Sequence, residues 1–224
     1  METEIVIPQE LAVMTLPDMA FFPQALLPLH IFEPRYRLML ERTLSTHRQF
    51  AVAGIDPAGD PTEERGHRVA TVGIVRACNQ NDDGTSNLLL QGLVRVECLG
   101  IVRERPYRVV RVQPLASESS APEPENRKLC QQVEQLLDLK KKLGAEIPAD
   151  FASFLHSVDD PETFVDLAAF TLCRDAALKQ RLLETLDVHR RLQIYTRALC
   201  QEVEALGLRR KLQGDLADED IANN

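Results

Sequence analysis

The chain has 224 residues, of which 44% are hydrophobic and 27% charged, with a formal net charge of −8 and an isoelectric point near 5.2. That composition fits a globular protein with room for one large domain or two ordinary ones. An acid excess disfavours phosphate-backbone binding by bulk charge, five scattered cysteines (Cys78, Cys98, Cys130, Cys173, Cys200) read as reduced thiols of a cytoplasmic protein, and no apolar stretch is long enough to span a bilayer as a helix.

The acidic start, METEIVIPQE, lacks the basic region of a signal peptide. Residues 11–16 read as a first strand, ended by Pro17. Residues 19–23 read as a loop, exposed or half-buried. Residues 26–31 form a second strand, which hands over at Glu33-Pro34 to a helix over residues 34–46. Pro34 suits the first helical position, because its missing N–H has no partner there anyway. Tyr36, Met39, Leu40, Thr43 and Leu44 then share one helical face, and the packing reading makes Phe32, Tyr36 and Met39 core. Residues 50–54 are a short buried strand, and residues 56–67 a polar loop rich in Gly and Pro.

Residues 69–77 alternate as a strand. Residues 79–85 (NQNDDGT) are a hairpin turn, with Asp83-Gly84 as a type I′ pair. Residues 88–99 return as a long strand, and Gly92 inside it predicts a bulge or bend. Residues 101–103 and 107–112 make a sixth strand, interrupted at Pro106. Six short strands and one helix fit a curled, mostly antiparallel sheet.

Composition shifts at residues 116–125 (ASESSAPEPE), a polar linker and the expected domain boundary. The pattern beyond is helical. Leu129, Val133, Leu136, Leu137 and Leu143 make one helical face, closed by Gly144. Phe151, Phe154, Leu155 and Val158 make a second. Asp160 caps a third, with Pro161 first and Phe164, Leu167, Ala168 and Leu172 on its core face. Leu178, Leu182 and Leu183 mark a fourth. Asp187 caps a fifth and longest, whose Val188, Leu192, Tyr195, Leu199 and Leu206 form a heptad-like seam with Glu202 at the missing contact. The class is α+β: a β domain over residues 1–115, a linker over 116–125, a helical bundle over 126–213 and a disordered acidic tail over 214–224.

The run L-P-L-H-I-F-E-P-R-Y-R-L-M at residues 27–39 resembles the N-terminal substrate-recognition domain of Lon proteases. Leu16-Pro17 and Phe22-Pro23 match that family's first strand and Phe-Pro turn, although the family usually has Gly where Gln24 stands. The resemblance resumes at residues 73–76, at residues 90–95 (LQGLVR) and in the pattern from Leu182 to Leu192, so it spans roughly residues 10–206. It implies a PUA-like pseudo-barrel, which binds RNA in other families, and a non-catalytic role in recognising unfolded or degron-bearing polypeptide, without any cofactor and working beside a separate protease or chaperone.

The chemistry-bearing patterns are absent. No Gly-Lys dipeptide exists to build a P-loop, and no Gly-x-Ser-x-Gly elbow, CxxC or HExxH occurs. No cofactor, metal or catalytic residue is expected. His30, His47, His67, His156 and His189 are scattered, with His30 read as structural. Cys78 and Cys98 read as neighbours across the hairpin. Asp82-Asp83 and Glu63-Glu64 read as solvated acids. Arg95, Arg103, Arg105, Arg108 and Arg111 cluster along the last two strands, but interleaved acids and a lone aromatic, Tyr107, argue against RNA. The expected site is an apolar groove of Phe21, Phe22, Leu26 and Phe32, acting by apolar contact and strand addition, with plugging of the barrel end as the other reading of the two phenylalanines. An enzyme with a small-molecule pocket between the domains is the alternative. Neither nucleic acid nor membrane is an expected partner, and the chain is expected to be a monomer or weak homodimer.

Overall fold

A computed structural model describes residues 6–59 and 64–221. The elements follow the predicted order: β1 (Glu10–Leu16), β2 (Leu26–Ile31), α1 (Pro34–Leu44), β3 (Gln49–Gly54), β4 (Val69–Gln80), β5 (Ser86–Arg103) and β6 (Val109–Pro114), then α2 (Glu123–Lys142), α3 (Ala149–His156), α4 (Pro161–Leu172), α5 (Ala176–Glu184) and α6 (Val188–Ile221). The strands lie in the order β2-β5-β4-β3-β1-β6, and β6 pairs again with β5, so five of them close on themselves. β1 and β3 run parallel, as the crossover through β2 and α1 requires, and the other pairings are antiparallel.

β5 makes this closure possible because it serves two partners along one edge. Its first half, Ser86 to Gln91, pairs with β2, and its second half, Val96 to Arg103, pairs with β6. The change of partner falls at Gly92, where the register against β4 slips between Val72 and Gly73. A bulge bends a strand and raises its twist, so the bend predicted from Gly92 is present. Inside the closed part, small apolar residues pack together: Leu11, Val13, Ala51, Ala53, Ala70, Val72, Val96, Val110 and Val112. Residues 101–103, predicted to open the sixth strand, instead finish β5.

The hairpin turn differs from its predicted type. Only Gly84 is left-handed (φ 78°), whereas a type I′ turn needs two such residues. The Gly84 N–H donates to Asn81 O at 2.9 Å, and the Asn81 N–H donates to Thr85 O at 2.9 Å. The Asp83 carboxylate accepts from the backbone and hydroxyl of Thr85. That bond holds Asp83 out of the left-handed region and leaves the reversal to Gly84.

By contact the chain divides into one unit of Met1–Ser117 with Asp166–Leu186, and another of Glu118–Val165 with Asp187–Asn224. This division differs from the compositional boundary at 116–125, because residues 166–186 return to the β unit. A buried arginine holds them. Arg95 Nη2 bonds Asp166 Oδ1 at 2.7 Å and Arg95 Nε donates to Leu183 O at 3.0 Å, with both side chains at 2% exposure or less. Removing one partner of such a pair strands a buried charge at a cost of about 3–5 kcal/mol. Gln180 adds a bond from its amide to Val69 O at 3.2 Å. Composition cannot reveal this return, since helical residues look alike whichever core they join.

In the second unit, α2 ends at Gly144 (φ 97°) and Asp160 caps α4 through the Thr163 N–H at 2.8 Å, both as predicted. α4 is buried from Phe164 through Ala169, all round rather than on one face, and its residues are shared between the two units. Along α6, Val188, Leu192, Tyr195, Leu199 and Val203 are buried. Val203 takes the place expected between Leu199 and Leu206, because a straight helix drifts from a strict seven-residue repeat. Glu202 turns instead to Lys140 of α2, at 2.5 Å. The helical backbone continues to Ile221, and the last three residues of the expected tail lie outside the described residues.

Gly92 and Gly100 of β5 offer a paired test of the bend. A Cβ at Gly92 would stand 2.1 Å from Phe22 O, whereas one at Gly100 would meet nothing within 4 Å. Gly92→Ala is expected to lower stability by at least about 1–3 kcal/mol, and Gly100→Ala to stay within about 0.5 kcal/mol of the parent. Urea unfolding of the two variants measures the difference.

Candidate functional site

The four predicted site residues separate into two pairs. Phe21 and Phe22 are buried, at 1% and 0% exposure, whereas Leu26 and Phe32 are 52% and 60% exposed. The loop over residues 19–23 is therefore neither exposed nor half-buried along its phenylalanines, and these two are no part of a surface groove. The cause lies in three glycines beneath them. A Cβ at Gly54 would stand 2.2 Å from Met19 O, and one at Gly73 3.0 Å from the Phe21 ring. With Gly92, they let the backbone of residues 19–24 lie directly on the sheet. The Thr71 hydroxyl donates to Phe21 O at 2.5 Å, and the Gln24 N–H to Gly92 O at 2.9 Å. Phe21 meets Phe170 edge-on at 6.1 Å, and Phe22 lies 5.8 Å from the Arg95 guanidinium. Gln24 turns with φ 61°, the left-handed conformation for which a glycine is the usual choice.

This docking sets β2. The Gly92 N–H donates to Ala25 O at 2.9 Å, so odd-numbered residues of the strand turn their backbone groups to β5. Leu26, Pro28 and His30 turn theirs to the other edge, and among the described residues β2 pairs with β5 alone. Pro28 has no N–H, as suits an edge strand. Side chains alternate in step: Leu27 and Ile31 are buried, while Leu26, Pro28 and His30 are exposed. Phe32 continues the outward row and stacks on His30, with centroids 6.0 Å apart and planes at 22°. Phe32 is thus outside the core in which the packing reading placed it. Opposite on β5 stand Gln91, Leu89 and Asn87. Asn87 Oδ1 lies 2.8 Å from His30 Nδ1, a hydrogen bond that fixes the face the ring offers to Phe32. Leu26, Pro28, Leu89 and Phe32 make an apolar stripe on one exposed sheet face, next to a strand edge that pairs with no other strand among the described residues.

Charge differs between the two ends of the stripe. Next to Leu26, Gln91 joins two neighbours: its Oε1 accepts from Arg76 Nε at 2.6 Å and its amide donates to Gln24 Oε1 at 3.3 Å. Next to Phe32, the hairpin turn carries Asp83, held below the usual carboxylate range by hydrogen bonds from Thr85, with His30 and Arg37 nearby.

Other candidates disperse. The arginines of the last strands do not form one basic face: Arg95 is buried, Arg108 donates to Glu64 O at 3.0 Å, Arg111 pairs with Glu10 at 3.2 Å, and Arg103 lies over Tyr107. Tyr107 is buried and so offers no ring for stacking. Cys78 stands opposite Leu88 and Cys98 opposite Val112, so they are not neighbours. Burial, helped by Glu97, pushes the Cys98 thiol up to about 11, which removes nucleophilic thiolate. Glu64 is half-exposed but ion-paired. It takes both terminal nitrogens of Arg35, whose Nε binds Glu33, and this bond lowers the Glu64 carboxyl below its usual range. Its neighbour Glu63 lies outside the described residues. Among the described residues no group of His, Cys, Asp or Glu could hold a metal ion, and no helix is long and apolar enough to cross a membrane.

Residues 10–201 match the family model for the ATP-dependent protease La (LON) substrate-binding domain. Among curated proteins, the Lon protease of Dictyoglomus thermophilum is 28% identical over 217 residues, covering 95% of this chain and 27% of that protein. The Lon protease of Heliobacterium modesticaldum is 30% identical over 209 residues, covering 91% and 25%. The chain therefore spans about a quarter of the length of the curated relatives it matches. Among solved structures, the N-terminal domain of Mycobacterium avium complex Lon protease superposes with a TM-score of 0.65 at 14% identity, covering 87% of this chain and 98% of that one. A Lon N-terminal domain protein from Xanthomonas campestris gives 0.60 at 21% identity, covering 82% and 95%. These two share the fold.

The burial contrast has a direct measurement. Phe22→Ala is expected to cost roughly 3–5 kcal/mol, and Phe32→Ala to stay within about 0.5 kcal/mol of the parent. Thermal melts of both variants read it; equal losses would place Phe32 in the core.

Proposed function

This chain belongs to the LON substrate-binding domain family, and on that premise we propose that it recognises polypeptide without carrying out chemistry of its own. The supporting observation is the row Leu26, Pro28 and Phe32, exposed on and just after a strand whose other edge pairs with no strand among the described residues. Unfolded segments supply the two complements. Their backbone can add to a strand edge, and their apolar side chains can cover the stripe. Contacts of this kind read little sequence, as a module that surveys unfolded chains requires. Pro28 interrupts the donors along the edge, so side-chain burial supplies most of the affinity and the edge supplies alignment.

The clients are unfolded or degron-bearing polypeptides of the cytoplasm, passed to a separate protease or chaperone. The protein acts as a monomer or weak homodimer, because the apolar seam of α6 is largely buried within the chain. Nucleic acid and membrane are not partners in this reading, given the acid excess and the dispersed arginines.

Titration of a labelled, permanently unfolded apolar peptide tests the site. The double variant Leu26→Ser, Phe32→Ser is expected to bind about tenfold or more weakly, since burying one such side chain is worth about 1.5–3 kcal/mol, with an unchanged melting temperature. Undiminished affinity would place the client elsewhere. Purified protein is also expected neither to hydrolyse ATP nor to cleave casein; turnover that is lost on a point substitution in this chain would overturn the non-catalytic reading.

A further inference from the structure

We infer that the polypeptides taken by this stripe carry a carboxylate beside their apolar run, received by Arg76 at the Leu26 end. The inference rests on the stripe being the recognition surface.

Arg76 is the extra residue of a bulge in β4, between Val75 and Ala77. Bulges re-aim a side chain, and here the bulged residue is exposed and reaches back to Gln91, the residue paired with Leu26. Its partner sets it apart from the ion-paired arginines of this unit. Arg35, Arg68, Arg95 and Arg111 each meet a carboxylate within 3.2 Å. Arg76 is held through Nε by a neutral amide oxygen, itself steadied by Gln24, and forms no ion pair among the described residues. Fixing Nε orients the guanidinium plane and leaves the two terminal nitrogens as donors for an incoming group. A planar fork of that kind matches a carboxylate with two parallel hydrogen bonds. Because the neighbours already hold it, less side-chain entropy is lost on binding.

The opposite end makes the preference directional. A carboxylate there would meet Asp82 and Asp83 of the hairpin turn, two acids against the one arginine beside them, Arg37, and like charges brought together are unfavourable. An extended segment therefore binds better with its acidic group at one end than at the other. The site reads a short pattern, an apolar run with an acid on one side, on top of general hydrophobicity.

Three labelled peptides with one shared apolar sequence test this: one without charge and blocked at both termini, one with Glu at its N-terminal end, and one with Glu at its C-terminal end. Each is titrated into the full chain and into Arg76→Gln. The expected result is that one acidic peptide binds about three- to fivefold more tightly than the uncharged one, as an exposed ion pair allows. That advantage should vanish in Arg76→Gln and in about 1 M salt, where the Debye length is about 3 Å. The uncharged peptide should bind both proteins alike, which shows that the variant is folded and its stripe intact. Arg76→Lys should keep part of the advantage, since charge remains without the fork. Binding of the uncharged peptide with no gain from either Glu, or a gain that persists in Arg76→Gln, overturns the inference and leaves the recognition surface standing. Failure of all three peptides to bind the parent chain removes both.

Discussion

The backbone of residues 19–24 lies on the sheet without side chains between, and the rest of this architecture follows from that approach. Gly54, Gly73 and Gly92 provide the floor. Any Cβ at Gly54 or Gly92 would stand about 2 Å from a carbonyl oxygen of the segment, well inside contact distance. Once the segment is down, its two phenylalanines have only the interior to occupy. Phe21 reaches Phe170, and Phe22 lies under Arg95, the residue that also binds Asp166 and Leu183 O. The same docking delivers Ala25 to Gly92 and so fixes which residues of β2 face outward. One close approach thus buries the aromatic anchor, helps order the arginine that holds residues 166–186, and exposes Leu26, Pro28 and Phe32.

Much of this could be read from the chain. The order of strands, the helix opened by Pro34, the bend at Gly92 and the caps at Asp160 and Asp187 rest on local signals: periodicity, a proline that fits, a glycine inside a strand, an acid ahead of a helix. The family motif at residues 27–39 added the pseudo-barrel. The misplacements share one cause, which is dependence on what lies across space. Phe21 and Phe22 sit in a stretch with loop chemistry, and only the three distant glycines indicate that this loop lies face down. Phe32 follows an apolar strand and precedes an amphipathic helix, yet parity puts it on the outward row. The return of residues 166–186 depends on Arg95, a charged residue in a strand whose partner lies 71 positions away. The hairpin turn failed on a smaller scale, because the Asp83–Thr85 hydrogen bonds outweighed the dipeptide preference.

The proposed recognition surface and the core are kept apart in this molecule. Phe21 and Phe22, which anchor the segment to the sheet, are at most 1% exposed, and the stripe proposed to meet clients is built from residues outside the core. Separation of that kind suits a surface that must accept many sequences, since contacts made by exposed Leu26 and Phe32 can vary without cost to the fold. At the margins of the stripe Gln24, Gln91 and Arg76 form a linked row at one end and the Asp83 turn lies at the other. The two glutamines and the arginine belong to a loop and two strands, so the row is another product of the same docking.

The central claim is that clients meet the outward row and open edge of β2. Amide hydrogen exchange of the full chain, with and without an excess of a permanently unfolded polypeptide, tests it most directly. The account predicts that bound polypeptide slows exchange over residues 26–32 and in the facing part of β5, with little change along α6. Slowed exchange confined to the helical unit, with residues 26–32 exchanging as before, would contradict it.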